Sequence, residues 1–414
     1  MNVYQRSINL YAIMKWKFSF MWLLDTSLIV WCNVLRCLLV SFVIILCVDS
    51  KVIISNKKCI IFVPGVGGSG LFYKQHDNKQ FQYGQDLFMR VGGNNIVEIV
   101  GGLVSVITNM TYYDDLISCD VNGKPSKDYV GALDSCDGIS GIDRDIYEYG
   151  VFLLFKDIIQ MVRERFGEKY DVTMFSYDWR LDCNENSERL ADVVKKYDKV
   201  VLVGHSMGGL ISVGTIKKLL KTWDLRRIKA YISVCVPYNG SIGSVFALTN
   251  GFMTVSEVVN SLMSSLGYSV ITKNLMQNYM SIYQLIPHTM SSNNDSTLKE
   301  LEKNDMFNMQ LFNRKYDFYN STYAGKNNVL KHINNKYYFC GVGIKTPSEI
   351  MYKSGKISFI AYEDGDGTVS VDSSLLPVTD GDKVFKINGL HSMMFINAEF
   401  QEKLLDILRD VCKD

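Results

Sequence analysis

The five residues Gly204-His205-Ser206-Met207-Gly208 constrain this chain most, because they form a G-x-S-x-G motif between two recognisable elements. Residues 199–203 are β-branched and apolar, as an inner parallel strand must be, and the spacing of residues 209–223 predicts a helix. Ser206 is therefore expected on a strand-to-helix elbow. A turn so tight strains the backbone of its central residue, and only small neighbours clear the adjoining strand and helix. Such an elbow would present Ser206 as an exposed nucleophile; the plainer alternative is a flexible turn.

A second glycine-rich loop, Pro64-Gly65-Val66-Gly67-Gly68-Ser69-Gly70, follows a predicted strand at 58–63. Its glycines also satisfy G-x-G-x-x-G. A dinucleotide site needs a helix to start at once, however, and residues 71–78 show no helical period, so no cofactor is expected. Free backbone N–H groups at the carboxyl end of a strand suit another task. They can hold a developing oxyanion beside the elbow, one donor coming from this loop and one from the residue after the nucleophile. Val66 and Met207 are the expected donors.

A serine needs a base to take its proton and a carboxylate to orient that base. Of the five histidines, His205 sits beside Ser206 and cannot fold back to it, His76 lies near the first glycine-rich loop, His288 falls in an insertion and His332 leads into a strand. His391 follows the last predicted strand, 383–387, and precedes the last predicted helix, 398–411, which puts it on the loop edge where Ser206 stands. The acid is expected from residues 362–369, where periodicity does not choose between Asp364 and Asp366. A calcium loop of the EF-hand type would need further acidic ligands that this stretch lacks. The chain order Ser206, acid, His391 is that of the α/β-hydrolases.

Between these landmarks, helices are predicted over 151–165 and 187–197 and strands over 170–177 and 229–237, the rhythm of a mostly parallel sheet covered by helices. The rhythm breaks over about 239–335, a cap insertion without regular strands that holds seven of the 18 methionines. Flexible, polarizable methionines suit a surface that accepts varied acyl chains, and equally the packing of an ordinary helical subdomain. Strands resume at 336–343, 357–362 and 383–387.

Residues 1–50 read as a leader. Residues 37–48 have the size of a signal-peptide core and are too short to cross a bilayer, which takes about 20 apolar residues. A signal-anchor helix from near Met21 is the rival, and it would carry Asp25 and Arg36 near its middle; a start codon placed upstream of a shorter signal is the third reading. Each sends the main domain, 51–414, into the secretory pathway, to be secreted, endolysosomal or membrane-anchored. Glycosylation sequons at Asn109, Asn294 and Asn320 fit that route, whereas the one at Asn239 follows a core strand. Three of the ten cysteines lie in the leader; Cys119 and Cys136 flank a loop they could close, and Cys235 reads as a buried small hydrophobe. Without a C-x-x-C pair no zinc site is expected, and a net charge of +1 without a basic stripe argues against a nucleic-acid partner.

Phe62-Val63-Pro64-Gly65, Tyr177-Asp178-Trp179-Arg180, the Ser206 elbow, Val236-Pro237-Tyr238-Asn239-Gly240-Ser241, Gly341-Val342-Gly343 with Thr346-Pro347, Glu363-Asp364-Gly365-Asp366 and His391 occur in that order. By these motifs the chain resembles the lecithin:cholesterol acyltransferase and lysosomal phospholipase/transacylase family of the α/β-hydrolase superfamily. The resemblance implies Ser206 as nucleophile, Asp366 rather than Asp364 as acid, His391 as base, and Val66 and Met207 as oxyanion donors. It implies a lid over about 72–116, although that stretch has no cysteine to close it. Its expected substrate is a membrane or lipoprotein phospholipid, with an alcohol such as a sterol as a possible acyl acceptor and no metal. Tyr177 to Arg180 would be structural, its charged pair fixing a loop under the site.

Overall fold

A strand buried on both faces reads as an unbroken apolar run, and two segments, β1 (Lys58–Val63) and β5 (Lys199–His205), do so. In the computed structural model, which describes residues 57–69, 72–74, 80–82, 118–125, 151–251 and 273–413, they pair in parallel at the centre of a six-stranded sheet. The other members are β4 (Asp171–Met174), β6 (Ile228–Val234), β7 (Lys336–Val342) and β10 (Lys383–Asn388). The order is β10-β7-β6-β5-β1-β4, and every pairing is parallel.

Helices cover both faces. Cys59, Ile61 and Val63 of β1 join one core with α2 (Cys183–Val194) and α3 (Met207–Lys221); Ile60 and Phe62 join the other with α1 (Val151–Phe166) and α6 (Ala398–Val411). Strand alternation thus sorts successive residues of one apolar run into two layers. From β1 the chain goes to β4 on one side and then to β5 on the other. The carboxyl ends of β1 and β5 therefore meet where the strand order reverses, the usual ligand crevice of an open α/β sheet.

Three elements differ from the sequence expectations. The stretch 357–362 does not resume the main sheet. It belongs to β9 (Lys356–Gly365), which pairs antiparallel with β8 (Ile344–Lys353) in a separate hairpin. Pro347 and a polar start hide β8 in the sequence, while Ser354 and Gly355, both at positive φ, make the turn that joins the arms. Strand β4 is shorter than 170–177, because the chain leaves the sheet to carry Tyr177 to Arg180 under the β1 loop. Helix α2 begins at Cys183 rather than at Ser187, capped by the Asp182 side chain, which accepts from Asn184 N.

In the cap segment the described part is helical, including α4 (Ile242–Asn250) and α5 (Ser292–Lys303). Its described methionines pack inward: Met276 and Met280 are buried, and Met290, Met306 and Met309 lean on the same core. For these five the packing reading holds over the acyl-surface one; Met253 and Met263 lie outside the described residues. So do the leader, nearly all of the lid stretch, His76, Asn109 and Cys136, apart from a short antiparallel pair formed by β2 (Phe72–Lys74) and β3 (Gln80–Gln82). Among the described residues no helix is long and apolar enough to cross a membrane. Cys119, Cys183, Cys235 and Cys340 carry free, buried thiols.

Asn294 is corrected as a glycan acceptor. Its Nδ2 donates to Ser348 O at 2.8 Å and its Oδ1 accepts from Ile350 N at 2.8 Å, so the buried amide stitches α5 to the hairpin. Asn239 is closed in the same way, on Thr289, whereas Asn320 is exposed. Replacing Asn294 by alanine should cost about 1–3 kcal/mol by leaving the hairpin's polar groups unpaired, read as a lowered denaturation midpoint. Peptide mapping of protein made in a eukaryotic secretory host should find no glycan on Asn294.

Candidate active site

Ser206 stands between β5 and α3 with φ 52° and ψ −133°, a conformation that side-chain-bearing residues rarely adopt. Ser206 N donates to Val234 O at 3.0 Å, and Gly209 N donates to Ser206 O at 2.9 Å. The flanking glycine is forced by contact: a Cβ on Gly208 would sit 2.1 Å from Val63 O and 2.3 Å from Pro64 O. The elbow is therefore pressed onto the end of β1.

The same closeness brings in the first glycine-rich loop. A Cβ on Gly65 would lie 2.8 Å from Ser206 Cβ and 3.2 Å from its Oγ, so the backbone that carries Val66 runs directly beside the serine. Met207 N–H, at the first position of α3, has no acceptor within its own helix. A three-residue strand, β2, follows this loop where a dinucleotide site would need a helix.

Tyr177 to Arg180 hold that loop from below. Tyr177 Oη donates to Pro64 O at 2.6 Å, Tyr177 N donates to Ser69 Oγ at 3.1 Å and Trp179 Nε1 donates to Ser69 O at 3.2 Å. Arg180 and Asp178 form a buried ion pair at 2.6 Å, which Arg180 Nε and N reinforce by donating to Asp178 Oδ1. With both charges out of water, the pair makes a rigid strut whose loss would strand one of them.

His391 opens a 3₁₀ segment (His391–Ile396) after β10. Its Nδ1 lies 2.7 Å from Asp366 Oδ2, and its N–H donates to Asp366 O at 2.9 Å. Asp366 is 1% exposed, and its Oδ1 accepts from Thr368 N at 2.9 Å and Val369 N at 2.7 Å. Burial pushes its pKa up, but His391, their shared hydrogen bond and the two backbone donors outweigh burial and hold the carboxyl below the usual carboxylate range. Asp364, the other candidate, is exposed and accepts from Gly343 N and Gly365 N at the root of the hairpin. The structure thus joins Asp366, not Asp364, to His391.

Two residues carried no functional signal in the sequence. The first is His205, which precedes Ser206: its Nε2 lies 3.1 Å from His391 O, and the two rings are 4.8 Å apart, so the elbow and the His391 loop are in contact. The second is Cys235, buried at φ 50°, with its Sγ within 4.8 Å of an Asp366 carboxylate oxygen and a His391 ring nitrogen. These three are the group of possible metal ligands among the described residues, and Asp366 already spends both oxygens on protein N–H groups. His288 is elsewhere, stacked on Tyr319 and bonded to Tyr238 O. A cavity of about 330 Å³ lies behind the acid loop, lined by Asn239, Ser241, Glu349, Glu363, Thr368 and Asp372 among others; it touches neither Ser206 nor His391, and its polar lining does not suit an acyl chain.

The parallel sheet and the strained elbow define an α/β-hydrolase fold. The Tle4–Tli4 complex shares it, with a TM-score of 0.52 at 13% identity over 86% of this chain and 98% of that one. Within that fold, residues 142–335 carry a domain that matches the lecithin:cholesterol acyltransferase family. The lysosomal phospholipase A and acyltransferase of Canis lupus familiaris is 26% identical over 219 residues, which are 50% of this chain and 53% of that protein. The human phosphatidylcholine-sterol acyltransferase is 35% identical over 83 residues, 18% and 19% of the two chains. The chain thus spans about half the length of the first of these relatives. The family match stops before Asp366 and His391, which rest on the geometry above.

Two outcomes are expected. Tyr177→Phe should free Pro64 O at a cost of about 1–3 kcal/mol, and Arg180→Ala should cost about 3–5 kcal/mol by leaving Asp178 charged and buried; chemical denaturation reads both. Stability should also fall in acid. Burial, aided by the neighbouring His391, pushes the His205 pKa down to about 3, and burial pushes that of His288 down to about 4. A depressed histidine stabilises the fold fully above the unfolded value of about 6.5 and loses that contribution as pH falls toward the folded value. For His205 alone the loss by pH 5 is about 2 kcal/mol, measurable as a falling Tm between pH 7.5 and 5.

Proposed function

We propose that this chain is a serine-dependent lipid acyl hydrolase and O-acyltransferase that attacks glycerophospholipid esters through an acyl-enzyme. The observation that carries the reading is the 2.7 Å bond from His391 to the buried Asp366, on a loop that touches the elbow of Ser206. Ser206 Oγ adds to the ester carbonyl as His391 Nε2 takes its proton. Asp366 holds the imidazole with Nε2 free to act and balances the charge it gains. The N–H groups of Val66 and Met207 hold the oxyanion, and His391 then returns the proton to the departing lysolipid. Water releases a free fatty acid from Ser206, whereas an alcohol such as a sterol carries the acyl group away as a new ester. This scheme calls on no metal or cofactor.

The relatives' names support the substrate class: phospholipase A and acyltransferase in one, phosphatidylcholine-sterol acyltransferase in the other. The substrate is thus a phospholipid of a membrane or lipoprotein. The cap, 239–335, sets which acceptor reaches the acyl-enzyme by how well it excludes water and binds the alcohol. The lysosomal relative and the leader both fit a secretory route, with Asn320 and Asn109 as its glycan acceptors.

A fluorophosphonate probe should label Ser206 in the wild type, and Ser206→Ala should abolish labelling. Asp366→Asn should slow turnover by about 10³- to 10⁴-fold, while Asp364→Asn stays within a few-fold. Vesicles of labelled phospholipid, with and without sterol, should yield free fatty acid in the first case and added sterol ester in the second. If no lipid gives either product and Ser206→Ala changes nothing, the chain is a lipid-binding module on a hydrolase fold.

A further inference from the structure

The geometry points to His205 as a positioning residue that fixes the base loop to the nucleophile elbow through one hydrogen bond, from its Nε2–H to the backbone carbonyl of His391. The inference rests on Ser206, Asp366 and His391 acting as a triad. A carbonyl oxygen only accepts, so the 3.1 Å contact requires the proton on Nε2 and leaves Nδ1 with a bare lone pair. That Nδ1 is buried and has no hydrogen-bond partner. An orphaned buried acceptor destabilises the fold, and the ring otherwise touches the aromatic faces of Phe155 and Phe395. Phenylalanine would fill the space without that cost. What it would lose is the N–H directed at His391.

The placement gives this one bond leverage. His391 is tied to Asp366 twice, through its own N–H and through Nδ1, and both ties bind the base to the acid. Among the described residues the tie from its carbonyl is the one that binds it to the elbow carrying Ser206. Residue 205 and residue 206 are consecutive on a strained, over-packed turn, so a hydrogen bond from one fixes the distance from the other to His391. Displacing a reacting group by about 1 Å costs about 100-fold in rate. The groups facing the ring are His391 and Asp366; burial and His391 keep the ring neutral, so it does not compete with His391 for the serine proton.

Two substitutions separate the N–H from the ring: His205→Phe keeps the aromatic volume and loses the donor, and His205→Gln keeps a donor near the position of Nε2. His205→Phe should lower kcat about 10- to 100-fold with KM little changed, and slow fluorophosphonate labelling of Ser206 in parallel. His205→Gln should recover most of both. Thermal unfolding should show His205→Phe at least as stable as wild type at pH 7.5 and more stable below pH 6, because the orphaned acceptor and the buried imidazole that resists protonation are both gone. In nitrogen-15 histidine spectra, wild-type His205 should carry its proton on Nε2 and stay neutral from pH 8 to 5. The low-field Nδ1–H signal of His391 should be broadened in His205→Phe and sharp in His205→Gln.

The inference is overturned if folded His205→Phe keeps wild-type kcat and the His391 signal, if folded His205→Gln rescues neither, or if wild-type His205 titrates or carries its proton on Nδ1. The spectra decide this even where a variant fails to fold. Failure of the triad reading looks different: wild-type Ser206 would then go unlabelled while the His205 and His391 spectra still show whether the tie exists.

Discussion

The site depends on one contact, the seating of a strained serine turn against the end of strand β1. A non-glycine residue at φ 52° costs about 1–3 kcal/mol and persists only where its surroundings over-determine it. Val234 O, the helix-starting bond from Gly209, and the Val63 and Pro64 carbonyls against Gly208 do so. Because the turn is clamped to β1, the loop that follows β1 is carried to the serine. One packing event therefore places Ser206 and the backbone of the loop that carries Val66 side by side.

The remaining parts are struts around that contact. Tyr177, Trp179 and the Arg180–Asp178 pair support the β1 loop from beneath, and the Asp366 loop with His391 closes from the other side. Most of these groups are buried, which strengthens each hydrogen bond and makes each unpaired group expensive. The orphaned Nδ1 of His205 is where that cost is visible: an unpaired acceptor is traded for the Nε2 bond to the carbonyl of His391. The depressed histidines carry the same trade into pH, since the fold that holds them neutral weakens in acid.

Similarity and geometry cover different parts of the molecule. The family match takes in the elbow and the supporting motif and ends at residue 335, whereas Asp366 and His391 come from the last fifth of the chain. There the hairpin of β8 and β9 intervenes between β7 and Asp366, so Asp366 reaches His391 from the root of an excursion outside the sheet. Gly343, at the start of that excursion, is tied to Asp364, which explains why two neighbouring aspartates serve different ends.

The sequence by itself determined the elements that short-range patterning encodes: the apolar strand and glycine-flanked turn around Ser206, the helix over 398–411, and the placement of His391 between a last strand and a last helix. These are local, because backbone strain, helical period and turn chemistry act over a few residues. Patterning left Asp364 and Asp366 open, and the family resemblance pointed to the one that meets the imidazole; tertiary structure alone decided that residues 344–365 form a separate hairpin, that Asn294 is a buried tie, and that His205 reaches the carbonyl of His391. Each joins groups far apart in the chain, or depends on which way a side chain turns once the interior is packed, and no periodicity in one sequence records that.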